Sequence, residues 1–382
     1  MRNRREFLQG IASASAGAFL LRDSPVEAMP QIPAGVTATK HKPVMIGGKK
    51  IKTVDVHTHI SVPEVTDFLK GTSLARNAGG GGAGAGAGGN PLLNAGSDRL
   101  VNMDYQGVDV QVLTINEFWY TSPDRELMTR LIDFQNQKLA EMVKNGVPDR
   151  FYAFSTVAMQ FPDLATKQMV DGMKMGLKGA TIGGSVPGKE LSAPEYDVFW
   201  AKAEELQAPI FMHPQTAGPL TGTTERIKGL GALNVTVANP LETTLFLSHM
   251  IFDGVLERHP GLKLCCAHGG GYLPSYADRM DHGCGVFPQQ CKDMTLRKPP
   301  TEYLKQIYVD SLVFTPEALR HLAAVMGPSH IMIGTDNPIP WTESGTNYVQ
   351  PVDHILNTPG FTDAQRIEML SGNACKWLGI PA

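Results

Sequence analysis

Four short apolar runs, spread over most of the chain, each end in a histidine or an aspartate. Val54-Asp55-Val56 leads into His57-Thr58-His59. Residues 208–212 end at His213, 262–267 at His268, and 330–335 at Asp336. The polar residue is always at the C-terminal end. In a parallel barrel every strand brings its C-terminus to one rim, so residues remote in sequence meet at one point. Alternate side chains of a strand share a face. His57 and His59 therefore point the same way, and Asp55 joins them where the strand extends that far. Neutral imidazole is the commonest protein ligand for zinc-like ions. An isolated His-x-His is compatible with a turn that holds no metal. Three further strand ends favour a metal site.

The rest of the chain alternates strand and helix patterns. Strands are expected at 51–56, 108–114, 151–157, 177–182, 209–213, 262–268, 306–311 and 331–336. Helical periodicity falls at 125–144, 164–175, 194–206 and 240–258. Alternation predicts a parallel sheet, and eight strand units predict closure into a single (β/α)8 TIM-type barrel. Glu242 falls in the first turn of a helix, where a negative charge is favoured.

The chain has 382 residues with a net charge of −3, so no basic surplus points to nucleic acid. Residues 1–28 read as an export signal. Asn3-Arg4-Arg5-Glu6-Phe7-Leu8 resembles a twin-arginine signal, and the apolar run at 10–21 is too short for a stable membrane span. That reading places the protein in the periplasm. Residues 29–50 read as a linker or arm. Residues 78–89 are glycine and alanine alone, with no side chains to bury, and are expected to form a mobile loop. Cys265 and Cys266 sit in an apolar strand as core thiols. Cys284 and Cys291 are close enough in sequence to pair in an oxidising compartment.

Asp-Val-His-Thr-His at 55–59, Met-His-Pro at 212–214, Ala-His-Gly-Gly-Gly at 267–271 and Gly-Thr-Asp-Asn-Pro at 334–338 resemble the amidohydrolase superfamily. They are most similar to the amidohydrolase-related branch of aminocarboxymuconate semialdehyde and aromatic-acid decarboxylases. Residues 254–264, Tyr308-Val309-Asp310-Ser311 and Gly372-Asn373-Ala374 carry the same likeness, which runs from Ile51 to the end. The resemblance implies that His57, His59, His213 and Asp336 are metal ligands, with His268 and Asp336 as proton-transfer residues. It implies one divalent ion, zinc by ligand type with manganese as the alternative. Many amidohydrolases carry a metal-bridging lysine at the end of strand four. Here that end reads Thr181-Ile182-Gly183-Gly184, and Lys178 lies at the opposite end of the strand as a solvated residue. The resemblance further implies a homodimer.

Arg279 matches a branch arginine and is a candidate to grip a substrate carboxylate; a structural salt bridge is the other reading. His249 stands where relatives often carry arginine, and reads as a packed helix histidine. Glu117, Phe118, Trp119 and Tyr120 follow strand two. Trp119 in particular is a candidate to line a pocket for a flat acid. The implied activity is metal-dependent decarboxylation of a small aromatic or unsaturated carboxylic acid. The same ligands serve a metal-dependent hydrolase of a lactone or other carbonyl compound, and the export signal leans toward that alternative. A metal-stabilised binding protein is the third reading.

Overall fold

The computed structural model describes residues 43–75, 90–117, 119–120, 122–215, 227, 229–339, 341 and 350–382. The expected export signal, residues 29–42 of the arm, the glycine/alanine tract and Phe118 lie outside the described residues.

Eight parallel strands close into a barrel. They are β1 (Val54–His59), β2 (Val110–Thr114), β3 (Phe151–Ala153, resuming at Ser155–Thr156), β4 (Ala180–Ile182), β5 (Pro209–Met212), β6 (Lys263–Cys266), β7 (Ile307–Asp310) and β8 (Ile331–Met332). Each pairs with the next in sequence order. Between β8 and β1 regular pairing gives way to two parallel bridges, Asp55 to Ile333 and Thr58 to Asn337. Backbone bonds complete the seam: Val56 N–H to Ile333 O at 2.9 Å, Asp336 N–H to His57 O at 2.9 Å and His59 N–H to Asn337 O at 2.7 Å. Within the arm, residues 45–46 pair antiparallel with 49–50, so its end is a small hairpin and not an aperiodic linker.

Helices α1 (Ser97–Gln106), α2 (Arg125–Asn145), α3 (Pro162–Lys174), α4 (Asp197–Glu205), α5 (Asn239–Phe252), α6 (Leu273–Val286) and α7 (Pro316–Met326) follow β1 to β7 in turn. Their apolar faces and the outer faces of the strands form the larger core. A second apolar cluster joins Val54, Val56, Phe154, Phe211, Cys265 and Met332 to Trp377 of the C-terminal helix α8 (Asn373–Leu378). Trp377 lies 5.4 Å from Phe154 and donates to Lys263 O at 3.0 Å. The strands are thus apolar on both faces, as a parallel sheet between two cores requires.

One expected alternation fails. Asp55 does not share a face with His57 and His59. The register shifts between Asp55 and Thr58, and a bulge of this kind re-aims side chains at a barrel rim. Val54 and Val56 join the interior cluster, and His57 stands 5.2 Å from Phe211 above it. Asp55 instead accepts from Gln111 Nε2 at 3.2 Å, and Gln111 accepts from Arg99 of α1 at 2.8 Å. Asp55 also accepts from Thr335 Oγ1 at 2.6 Å and from the N–H groups of His57 and Thr335. Arg99 is fully buried and donates to the carbonyls of His59 and Leu92. A carboxylate and a guanidinium therefore hold the β8–β1 seam from the helix side.

Candidate metal centre and active site

The structure brings four of the strand-end residues together. His57 and His59 end β1, His213 follows β5, and Asp336 follows β8. One ligand atom from each of these four lies within 4.8 Å of all the others, and all four residues are buried. Asp336 Oδ1 lies 2.6 Å from His59 Nε2 and 3.1 Å from His57 Nε2. His57 Nε2 is buried and has no hydrogen-bond partner. A buried imidazole nitrogen without a hydrogen-bond partner, facing a carboxylate, fits a cation ligand. Three imidazoles and one carboxylate suit zinc-like and manganese-like ions.

His268 follows β6 and its ring lies 5.1 Å from that of His57 and 5.2 Å from that of His213. Its Nε2 stands 3.8 Å from Asp336 Oδ2, on the carboxylate edge away from the other histidines. His268 and Asp336 both hold a left-handed backbone with φ of 58°. That conformation costs a non-glycine residue ~1–2 kcal/mol, and it persists only where the surroundings enforce it.

Asp310, at the end of β7, is the support that sequence reasoning missed. Its Oδ2 accepts from His57 Nδ1 at 2.6 Å and from the His268 N–H at 2.9 Å. Its Oδ1 accepts from the N–H groups of Gly269 at 2.9 Å and Leu312 at 3.0 Å. Such a carboxylate fixes a ligand histidine's tautomer and ring orientation. Gly334 must be glycine for Asp310 to sit there, since a Cβ would stand 2.6 Å from Asp310 Cβ. The signal was available: Asp310 is one more carboxylate at a strand's C-terminal end. Asn116 was missed too. Its Nδ2 lies 2.8 Å from His59 Nδ1 and 3.2 Å from His213 Nδ1, linking two ligand candidates from different strands.

The electrostatics follow from burial and proximity. Burial opposes a charge on His57, but Asp336 and Asp310 on either side outweigh it and raise its pKa to about 10. Burial and the neighbouring imidazoles push His213 well below its ordinary value. Burial lowers His59 as well. Burial raises Asp336, yet His57, His268 and His59 together hold it well below the usual carboxylate range.

The remaining candidates separate. Trp119 is buried and its ring lies 6.4 Å from His213, so it lines the site. Tyr120 accepts the Gly183 N–H at 3.0 Å. Glu117 beside them is pushed up to about 7 by burial. Glu242 does stand in the first turn of α5. It is buried against Gly184, whose N–H it accepts at 3.2 Å, and burial raises its pKa from 4.5 to about 8. Gly184 leaves the room, since a Cβ would come within 2.7 Å of Glu242 Cγ. Arg279 stands exposed on α6 and enters none of the contacts of the four-residue cluster among the described residues. His249 is no packed core residue: it is partly exposed and pairs with Asp253 at 2.9 Å. Lys178 is partly buried, with its Nζ 5.0 Å from the Tyr152 ring, and not fully solvated. Cys284 and Cys291 are joined in a disulfide, and Cys265 and Cys266 are buried free thiols.

Comparison with known proteins places the chain in a family. Residues 54–380 match the amidohydrolase family model, and the chain belongs to that family. Within it, the chain falls in the decarboxylase branch. It is 32% identical over 285 residues to the 2-amino-3-carboxymuconate-6-semialdehyde decarboxylase of Dictyostelium discoideum, covering 74% of this chain and 76% of that one. In fold it is similar to 5-carboxyvanillate decarboxylase from Sphingomonas paucimobilis, with a TM-score of 0.75 at 22% identity over 87% of this chain and 100% of that chain. It is also similar to a 5-carboxyvanillate decarboxylase mutant from Novosphingobium aromaticivorans with bound manganese. There the TM-score is 0.73 at 23% identity over 89% of this chain and 100% of that chain.

The His57 environment sets a pH dependence. Against burial, Asp336 and Asp310 raise the His57 pKa to about 10, and the imidazolium must give up its second proton before Nε2 can hold a cation. Metal affinity should therefore rise with pH between 6 and 9, by roughly tenfold per unit for one displaced proton. Calorimetric metal titrations at several pH values check this, and an affinity independent of pH over that range contradicts it.

Proposed function

We propose that this protein is a metal-dependent decarboxylase of a small aromatic or unsaturated carboxylic acid. The observation that carries the reading is the buried His57, His59, His213 and Asp336 cluster with His268 beside it, in a chain of the decarboxylase branch. The cluster would hold one divalent cation. Zinc fits the ligand types, and manganese is the ion named with one of the similar structures. A bound cation supplies Lewis-acid polarisation of substrate oxygens.

The chain's own residues do the rest. Asp310 holds the His57 ring through Nδ1, so His57 Nε2 faces the cluster. Trp119, next to His213, offers a flat apolar wall to a conjugated acid and excludes water from it. His268 Nε2 delivers a proton to the substrate carbon. The bond from that carbon to the carboxylate carbon breaks, carbon dioxide leaves, and the bond's electron pair takes the proton. A general acid in this role contributes ~10²–10⁴-fold in rate. The hydrolase alternative shares the ligands, but the relatives' named reactions favour decarboxylation.

We read the protein as periplasmic and homodimeric. The Arg4-Arg5 signal supports export, and the Cys284–Cys291 disulfide suits an oxidising compartment. Among the described residues no helix is long and apolar enough to cross a membrane. Exposed Tyr276, Val286 and Phe287 on and beside α6 offer a face for a second copy, and Arg279 lies on the same helix. Replacing Arg4 and Arg5 with lysine should retain the protein in the cytoplasm; unchanged export refutes the signal. A solution mass of one chain refutes the dimer.

Four variants test the site. His268→Ala should keep its metal and lose activity by about 10²–10⁴-fold. His57→Ala and His213→Ala should lose metal and activity together. His249→Ala should change neither comparably. Metal content and carbon dioxide release from hydroxybenzoates and muconate-type acids are the readouts. If His268→Ala loses its metal as readily as His57→Ala, the division of roles is wrong.

A further inference from the structure

The loop after β8 carries a residue that the reading above leaves unused. Trp341 follows Asp336 by five positions, placed by successive turns in which Ile339 N–H donates to Asp336 O at 2.8 Å and Trp341 N–H to Ile339 O at 2.9 Å. Its indole Nε1–H donates to Asp336 Oδ2 at 2.8 Å. The two oxygens of Asp336 are thereby divided. Oδ1 faces His59 and His57, at 2.6 and 3.1 Å. Oδ2 takes the indole N–H and stands 3.8 Å from His268. The indole is itself braced, with the Phe314 ring 5.3 Å away at 56°. Phe314 is 46% exposed, so this aromatic pair reaches from the buried carboxylate toward the surface.

We propose that Trp341 is a positioning residue of the metal site: its N–H fixes the carboxylate of Asp336 so that Oδ1 is presented to the three histidines. An indole N–H is a donor only, with no lone pair to offer a cation. It therefore orients the ligand without competing for the metal. A carboxylate free to rotate presents either oxygen and loses affinity, and outer partners of metal ligands typically contribute 10–100-fold to binding. The proposal rests on Asp336 being a ligand.

Trp341→Phe keeps an aromatic ring against Phe314 and removes only the N–H. Titrated with Zn²⁺ alone from the metal-free state, it should bind about 10–100-fold more weakly than wild type. Phe314→Ala, which keeps the N–H, should bind within a few-fold of wild type. In ¹⁵N-tryptophan-labelled wild-type protein, the indole resonance that disappears in Trp341→Phe should shift when Zn²⁺ is added. Wild-type affinity in Trp341→Phe, or an indole signal unmoved by Zn²⁺, overturns the proposal. So does a Phe314→Ala variant as weak as Trp341→Phe, because packing alone would then explain the loss. If Trp341→Phe fails to fold, the Trp341 indole resonance is the one that moves in Phe314→Ala, whose ring lies 5.3 Å away in wild type, and its response to Zn²⁺ decides. Failure of the ligand assignment is separate, and shows as Asp336→Ala retaining its metal.

Discussion

One carboxylate gathers the site. Asp310 accepts four hydrogen bonds, from the His57 ring and from the backbone of His268, Gly269 and Leu312. These partners come from β1, from the turn after β6 and from the segment after β7. A buried carboxylate without such partners would be costly. With them it sets the His57 ring and draws the glycine-rich turn that carries His268 against the same point. Burial raises the Asp310 pKa, but the His57 ring bonded to it outweighs burial and holds it below the ordinary carboxylate value.

The barrel makes this convergence possible, and its seam is the critical joint. His57 and His59 lie on β1 and Asp336 follows β8, so the cluster straddles the place where the sheet closes. Strand pairing is sparse there. Asp55 and Arg99 bind the seam from outside, Asp55 through Thr335 and Arg99 through the carbonyl of His59. A displacement at the seam would move ligands on both sides, which explains why buried charges sit beneath a site that itself holds charge.

The sequence makes the barrel legible because its strands are short apolar runs with polar ends, and because residue identity at a strand end is enough to place it on the rim. The four ligand candidates and His268 all stand at such ends, while their division into ligands and a proton-transfer residue comes from the family resemblance. Asp55 does not join them, because a bulge breaks the period of two and turns it away from the histidines. Glu242 has a favourable place by helix position, yet tertiary burial beside Gly184 raises its pKa to about 8. Asp310 obeys the strand-end rule, while Asn116 and Trp341 lie on loops past strand ends, where no periodicity reveals which atom they meet. The candidate residue Arg279 rests on likeness alone, and within one chain it remains at the surface.

Three histidines and one aspartate are proposed to hold a single cation, with no lysine in the strand-four end Thr181-Ile182-Gly183-Gly184 to allow a second. Elemental analysis of the purified, active protein tests that proposal most directly. One equivalent of divalent metal per chain, lost in His57→Ala, is the predicted result. Two equivalents per chain, or full activity with none, would contradict it.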